Sequence, residues 1–115
     1  MIPSRKVREE FRLIYELKGA QKAVDVLSRY YGIRRMKIIV DGRKVGNSDD
    51  ACYYDYVAYF KKRGLNKRNV LHEFYHHIAY IYNWDLSEKI EEKEANRYAK
   101  KIIHKFHTKY KELKD

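Results

Sequence analysis

The chain has 115 residues, a formal net charge of +10, 44% hydrophobic and 37% charged residues, and a single cysteine. That length suits one domain with one core, so residues 1–115 are read as a single unit. One cysteine excludes an internal disulfide and a Cys-x-x-Cys metal site, and no apolar run approaches the roughly 20 residues of a membrane-spanning helix.

Ser4 is placed to cap a first helix, which carries Val7, Phe11, Ile14 and Leu17 on one side and is interrupted at Gly19. A second helical stretch presents Ala23, Val24, Leu27 and Tyr31 and stops at Gly32. The middle of the chain changes character. "MKIIVDG" reads as a strand ending in a turn at Asp41-Gly42, and "GNSDD" as loop. "ACYYDYVAYF" is rich in β-formers, with Asp55 marking a turn and Cys52 a strand core residue. Helical periodicity returns over "NKRNVLHEFYHHIAYIY", with Asn66 as cap and "NW" as its close. Asp85 and Glu88 have the spacing of a capping box, and a long helix follows through "EKIEEKEANRYAKKIIHKFHTKYKEL". The expected fold is α+β: N-terminal helices, a small three-stranded mixed sheet, then two further helices.

Within the third helix, His72-Glu73-Phe74-Tyr75-His76 places two imidazoles about 40° apart and one turn apart along the axis. Both can reach one ion, while Val70, Leu71, Phe74, Ile78 and Ile81 form the opposite, apolar side. In H-E-x-x-H hydrolases two neutral imidazoles hold zinc, and the glutamate between them takes a proton from water. The plain alternative is two surface histidines on an ordinary helix. His77 is read as structural, and His104 and His107 as exposed.

A catalytic zinc needs a third protein ligand, and no H-x-x-G-x-x-H continuation follows His76. The acidic candidates are Glu88, Glu91, Glu92 and Glu94. Glu92 lies within about 40° of the apolar face of the last helix, whereas Glu94 lies about 120° away on its lysine-rich side. Glu91 and Glu94 read as a solvated acidic first turn, and Glu88 as a capping residue. Asn96 lies one turn beyond Glu92, placed to hydrogen-bond the outer nitrogen of a ligand histidine.

HEFYH followed by "EKEANRYA" resembles the gluzincin metallopeptidases, and the short chain with its small upstream sheet looks most like the minigluzincins. The resemblance covers about residues 36 to 106. Asn96 stands where aspartate is commoner. The resemblance implies a zincin-like fold with a glutamate helix, zinc bound by His72, His76 and Glu92, and Glu73 as general base and acid. It implies that Val57, Ala58, Tyr59 and Phe60 form the edge strand that receives an extended peptide or protein substrate. It also implies a self-blocked form, in which the C-terminal segment, with Asp115 as a candidate group, or a second copy of the chain covers the metal. The oxyanion stabiliser stays open among the tyrosines, Arg97, His104 and His107.

Two other classes fit parts of the sequence: an H-E-x-x-H scaffold that acts as a regulatory or nucleic-acid-binding protein, and a structural zinc protein without turnover. The +10 charge favours a nucleic-acid partner, but the lysines are spread from end to end, as on solvated helix faces. "MIPSRKVREEF" lacks the apolar core of a secretory signal, so the expected compartment is the cytoplasm.

Overall fold

The computed structural model describes the backbone from residue 2 to residue 114 and side chains from residue 2 to residue 103. Ser4 Oγ accepts the Val7 N–H at 3.3 Å and starts α1, Arg5–Lys18. Phe11 is its buried anchor. Leu17, expected on the same face, is 69% exposed, because six residues carry it about 120° around the helix from Phe11. Arg8 takes a buried place instead, and its guanidinium donates to Pro3 O at 2.6 Å. Gly19, at φ 93, breaks the helix and lets α2, Ala20–Tyr31, fold back on α1. Gly32 ends α2 in the left-handed region.

The sheet has the order β1-β3-β2. β1 (Lys37–Val40) lies parallel to β3 (Val57–Phe60), and β2 (Ala51–Tyr54) lies antiparallel to it. β2 and β3 are joined by Asp55 and Tyr56, both at positive φ (49° and 71°), as a two-residue hairpin turn requires. Neither is glycine, so the turn is held by side chains. The Tyr56 N–H donates to Tyr53 OH, and the Tyr80 hydroxyl donates to Asp55 Oδ1, each at 3.0 Å. The Arg34 guanidinium stacks 3.9 Å from the centre of the Tyr56 ring.

One expectation is overturned here. Val57, Ala58, Tyr59 and Phe60 are not an edge strand but the centre of the sheet, with β1 on one side and β2 on the other. Ala58 and Phe60 are fully buried, as alternate residues of a strand flanked on both sides and covered on one face are. The outer edge of β1 is closed by Gln21, whose Oε1 accepts the Ile38 N–H (2.8 Å) and whose Nε2 donates to Met36 O (2.9 Å). The outer side of β2 is therefore the other sheet edge. The two-residue turn makes Tyr54–Val57 a hydrogen-bonded pair, and Lys61 N–H to Asp50 O (3.0 Å) continues that register. Alternation then leaves the N–H and C=O of Ala51 and Tyr53 pointing away from β3.

Asn66 Oδ1 accepts the Asn69 N–H (2.8 Å) and caps α3, Lys67–Ile81. The helix closes where Asn83 adopts φ 53 and the Trp84 N–H returns to Ala79 O at 3.0 Å. α4 runs over Glu88–Lys114. Its cap is Ser87, whose Oγ accepts the Ile90 N–H at 3.3 Å, and not Asp85, which lies two residues further back in the connection. A contiguous apolar core joins α1 and α2 (Phe11, Val24, Leu27), the sheet (Ala58, Phe60), α3 (Val70, Phe74, Ile78) and α4 (Ala95, Ala99, Ile102). Among the described residues no helix is long and apolar enough to cross a membrane.

A Cβ built on Gly64 would lie 2.4 Å from Asp50 O and 2.8 Å from Asp50 Cβ, whereas one on Gly42 would meet only Lys61 Cγ at 3.5 Å. Gly64→Ala is therefore expected to push the start of β2 off its partner and to cost about 1–3 kcal/mol. Gly42→Ala should cost less than about 1 kcal/mol. Urea denaturation of the two variants checks the contrast.

Candidate metal centre

The apolar side of α3 decides where its histidines go. Val70, Leu71, Phe74 and Ile78 are buried in the core, so His72 and His76 face outward, into a cleft of about 1020 Å³ between β2, α3 and the start of α4. Their Nε2 atoms lie 3.2 Å apart. The outer nitrogens are both engaged. His72 Nδ1 donates to Asn96 Oδ1 at 2.8 Å, and His76 Nδ1 donates to Glu91 Oε2. A carbonyl or carboxylate oxygen only accepts, so the protons sit on Nδ1 and both Nε2 lone pairs point at the same spot.

Glu92 faces that spot from α4. Its Oε2 is 3.0 Å from His72 Nε2 and its Oε1 is 2.8 Å from His76 Nε2. One ligand atom from each of His72, His76 and Glu92 lies within 4.8 Å of the other two. Donors bound about 2.0–2.1 Å from a tetrahedral ion sit about 3.3 Å from one another. The 3.2 Å between the two Nε2 atoms fits such an ion, and Glu92 approaches His72 with Oε2 and His76 with Oε1. Three acceptors that face one another with no proton donor between them repel, and a cation removes the repulsion. This group can therefore hold a metal ion.

The other acidic residues of α4 fall elsewhere. Glu94 pairs with Arg97 at 3.3 Å. Glu91, expected to be solvated, is instead the half-buried acceptor for His76. The sequence held a signal for it: two ligand histidines need two outer acceptors, and Asn96 supplies only one.

Glu73 stands outside the converging trio. It is 6% exposed and lines the cleft. Among the described residues its carboxylate has no hydrogen bond or ion pair. Burial pushes its pKa from 4.5 up to about 7, and the nearby charges of Glu92 and Asp49 add to the rise. Burial also holds His72 below the usual imidazole range, against the pull of Glu92, which keeps that ring in its neutral, ligand form.

His77 points the other way. It is fully buried, accepts the Tyr53 hydroxyl on Nδ1 (2.7 Å) and donates from Nε2 to Arg34 O (2.6 Å). Cys52, expected in the core, is half-buried on β2 and lines the cleft, where burial and the nearby Glu73 charge raise its thiol pKa. The side chains of His104, His107 and Asp115, and with them the proposed self-blocking tail, lie outside the described residues.

Comparison with known proteins finds no family model, no curated protein and no solved structure that matches this chain.

If the group holds a divalent ion, Glu92→Ala should abolish its stoichiometric binding, and Glu94→Ala should leave it intact. Asn96→Ala and Glu91→Ala should each weaken it about 10- to 100-fold, all measured by titration against a chromophoric chelator. A second outcome follows from Glu73. In metal-free protein the folded chain keeps the Glu73 proton up to about pH 7, while the unfolded chain loses it near 4.5. Between those values the native state binds more protons, so this contribution to stability is complete below pH 4.5 and is lost as pH rises through 7. Glu73→Gln lacks the decline, and should gain roughly 1–3 kcal/mol on wild type between pH 5 and 8, read from denaturant midpoints in the presence of a chelator.

Proposed function

We propose that this protein is a zinc-dependent peptidase with a zincin-like fold, of the minigluzincin type that its motifs resemble. The observation that carries the reading is the pair of inward Nε2 lone pairs, closed by Glu92, beside a buried and unpartnered Glu73. A structural metal site needs the first of these features and has no use for the second.

His72, His76 and Glu92 would hold the zinc, with Asn96 and Glu91 orienting the two rings. Bound there, zinc supplies a Lewis acid and makes a water acidic near neutral pH. Glu73 takes a proton from the attacking water and returns it to the departing amine. Its place on the cleft wall, buried and without an ion pair among the described residues, leaves its carboxylate available for both. The peptide lies along β2, where the free N–H and C=O of Ala51 and Tyr53 can pair with an extended chain. Both residues line the same cleft as the histidines, so such a chain passes directly over the metal site.

The test joins metal analysis with cleavage of denatured casein. Wild type should carry one zinc per chain and cleave. Glu73→Gln should keep its zinc and lose cleavage by at least about 100-fold. Wild-type turnover by Glu73→Gln would remove the catalytic reading, and a wild-type chain that binds zinc but never cleaves would leave a structural metalloprotein.

A further inference from the structure

His77 is the one histidine of α3 that does not face the cleft. It follows His76 directly, so their Cα atoms lie about 3.8 Å apart and their side chains leave the helix about 100° from one another. His76 lines the cleft, whereas His77 is fully buried. An imidazole at a core position brings two polar nitrogens that must find partners. Both find them, on two different segments of the chain.

The directions of these bonds are set by chemistry. Arg34 O only accepts, so His77 Nε2 carries the proton and donates to it at 2.6 Å. Nδ1 is then a lone pair, and it accepts the Tyr53 hydroxyl at 2.7 Å. That hydroxyl has given its single proton, and its oxygen accepts the Tyr56 N–H at 3.0 Å. His77 therefore holds the opposite tautomer to His72 and His76. The Tyr53 and Tyr56 rings meet the imidazole edge-on, with centroids 5.5 and 6.1 Å away.

Tyr53 carries this buried link to the cleft. Its hydroxyl reaches His77, while alternation along β2 turns its backbone N–H and C=O away from β3. β2 has one strand neighbour, β3, and its other side is open. The Tyr53 ring thus acts as a rigid strut that sets how far the open strand stands from α3. The same hydroxyl holds the hairpin turn, where Asp55 and Tyr56 at positive φ persist only because surrounding contacts hold them.

We propose that His77 is a positioning residue of this cleft: through Tyr53 it fixes β2, and with it the backbone of a bound peptide, relative to the neighbouring His72 and His76. The proposal rests on the peptidase reading, which supplies the peptide. His77 touches none of the three residues that could hold the metal through its ring, so metal affinity and peptide affinity should separate when it is changed.

Two amide variants divide its two bonds. In His77→Asn the amide oxygen can stand in for Nδ1 and accept the Tyr53 hydroxyl. In His77→Gln the longer amide can still donate to Arg34 O, and Tyr53 loses its acceptor. A library of blocked hexapeptides without charged residues is incubated with zinc-loaded Glu73→Gln protein, and the tightest retained peptide is titrated by calorimetry. Added to that background, His77→Gln and Tyr53→Phe should each weaken peptide binding on the order of tenfold or more, and the two together no further. His77→Asn should restore most of the affinity. Zinc affinity, from competition with a chelator, should stay within about twofold throughout. Circular dichroism confirms folding, and Tyr53→Phe keeps the test decisive if a His77 variant does not fold. Unchanged peptide affinity in His77→Gln and Tyr53→Phe, equal loss in His77→Asn and His77→Gln, or a parallel loss of zinc would overturn the role of His77 and leave the peptidase reading standing. Retention of no peptide by the protein with His77 and Tyr53 intact would overturn the peptidase reading and this role with it.

Discussion

Everything at this site depends on which nitrogen of each imidazole carries its proton. A histidine pair one helical turn apart is common and inert if the rings rotate freely or donate inward. Here Asn96 and Glu91 each accept from an outer nitrogen, and that leaves two lone pairs with the same target. The acceptors come from α4, so the tautomers exist only when α4 is docked on α3. The packing of Ala95, Tyr98, Ala99 and Ile102 against the core is in this sense part of what lets the cluster hold an ion. It places the hydrogen-bond acceptors and the third ligand in one step.

The same docking gives adjacent glutamates opposite tasks. Glu91 and Glu92 differ by about 100° in direction, and one residue of rotation separates a carboxylate that orients a ring from one that faces the lone pairs. Glu73, on the helix that carries the histidines, is kept from both tasks. Buried beside the cluster, with no hydrogen bond or ion pair among the described residues, it carries a desolvation cost. Groups left in that condition are typical of sites where a proton has to move.

The sheet is small, yet it settles how the cleft is approached. Gln21 spends its side-chain amide on the outer edge of β1, and β3 is enclosed on both sides. The edge with outward N–H and C=O groups is β2, which borders the metal site. The hairpin tip joins the cleft through the Tyr80–Asp55 bond, so the aromatic end of α3 and the open strand are one mechanical unit. An extended chain held by that strand would have its backbone fixed relative to the same pair of histidines.

Local signals in the sequence were enough for the helices, the strands and the core face of α3. Periodicity, Ser4, Gly32 and Asn66 act within one or two turns of chain, and the H-E-x-x-H spacing is a property of a single helix. The phase of Glu92 was legible only in part: it faces the histidines, yet it is the more exposed residue, and Glu91 and Glu94 lie closer to the core than expected. Sheet order was not legible, because which strand becomes central is decided by burial from the helices above it. Val57–Phe60 could therefore be read as an edge when it is the middle of the sheet. The Glu91–His76 contact, the cap at Ser87 and the place of Cys52 on the cleft wall were hidden likewise. Each depends on the angle at which separate elements meet, and that angle is set by the whole core.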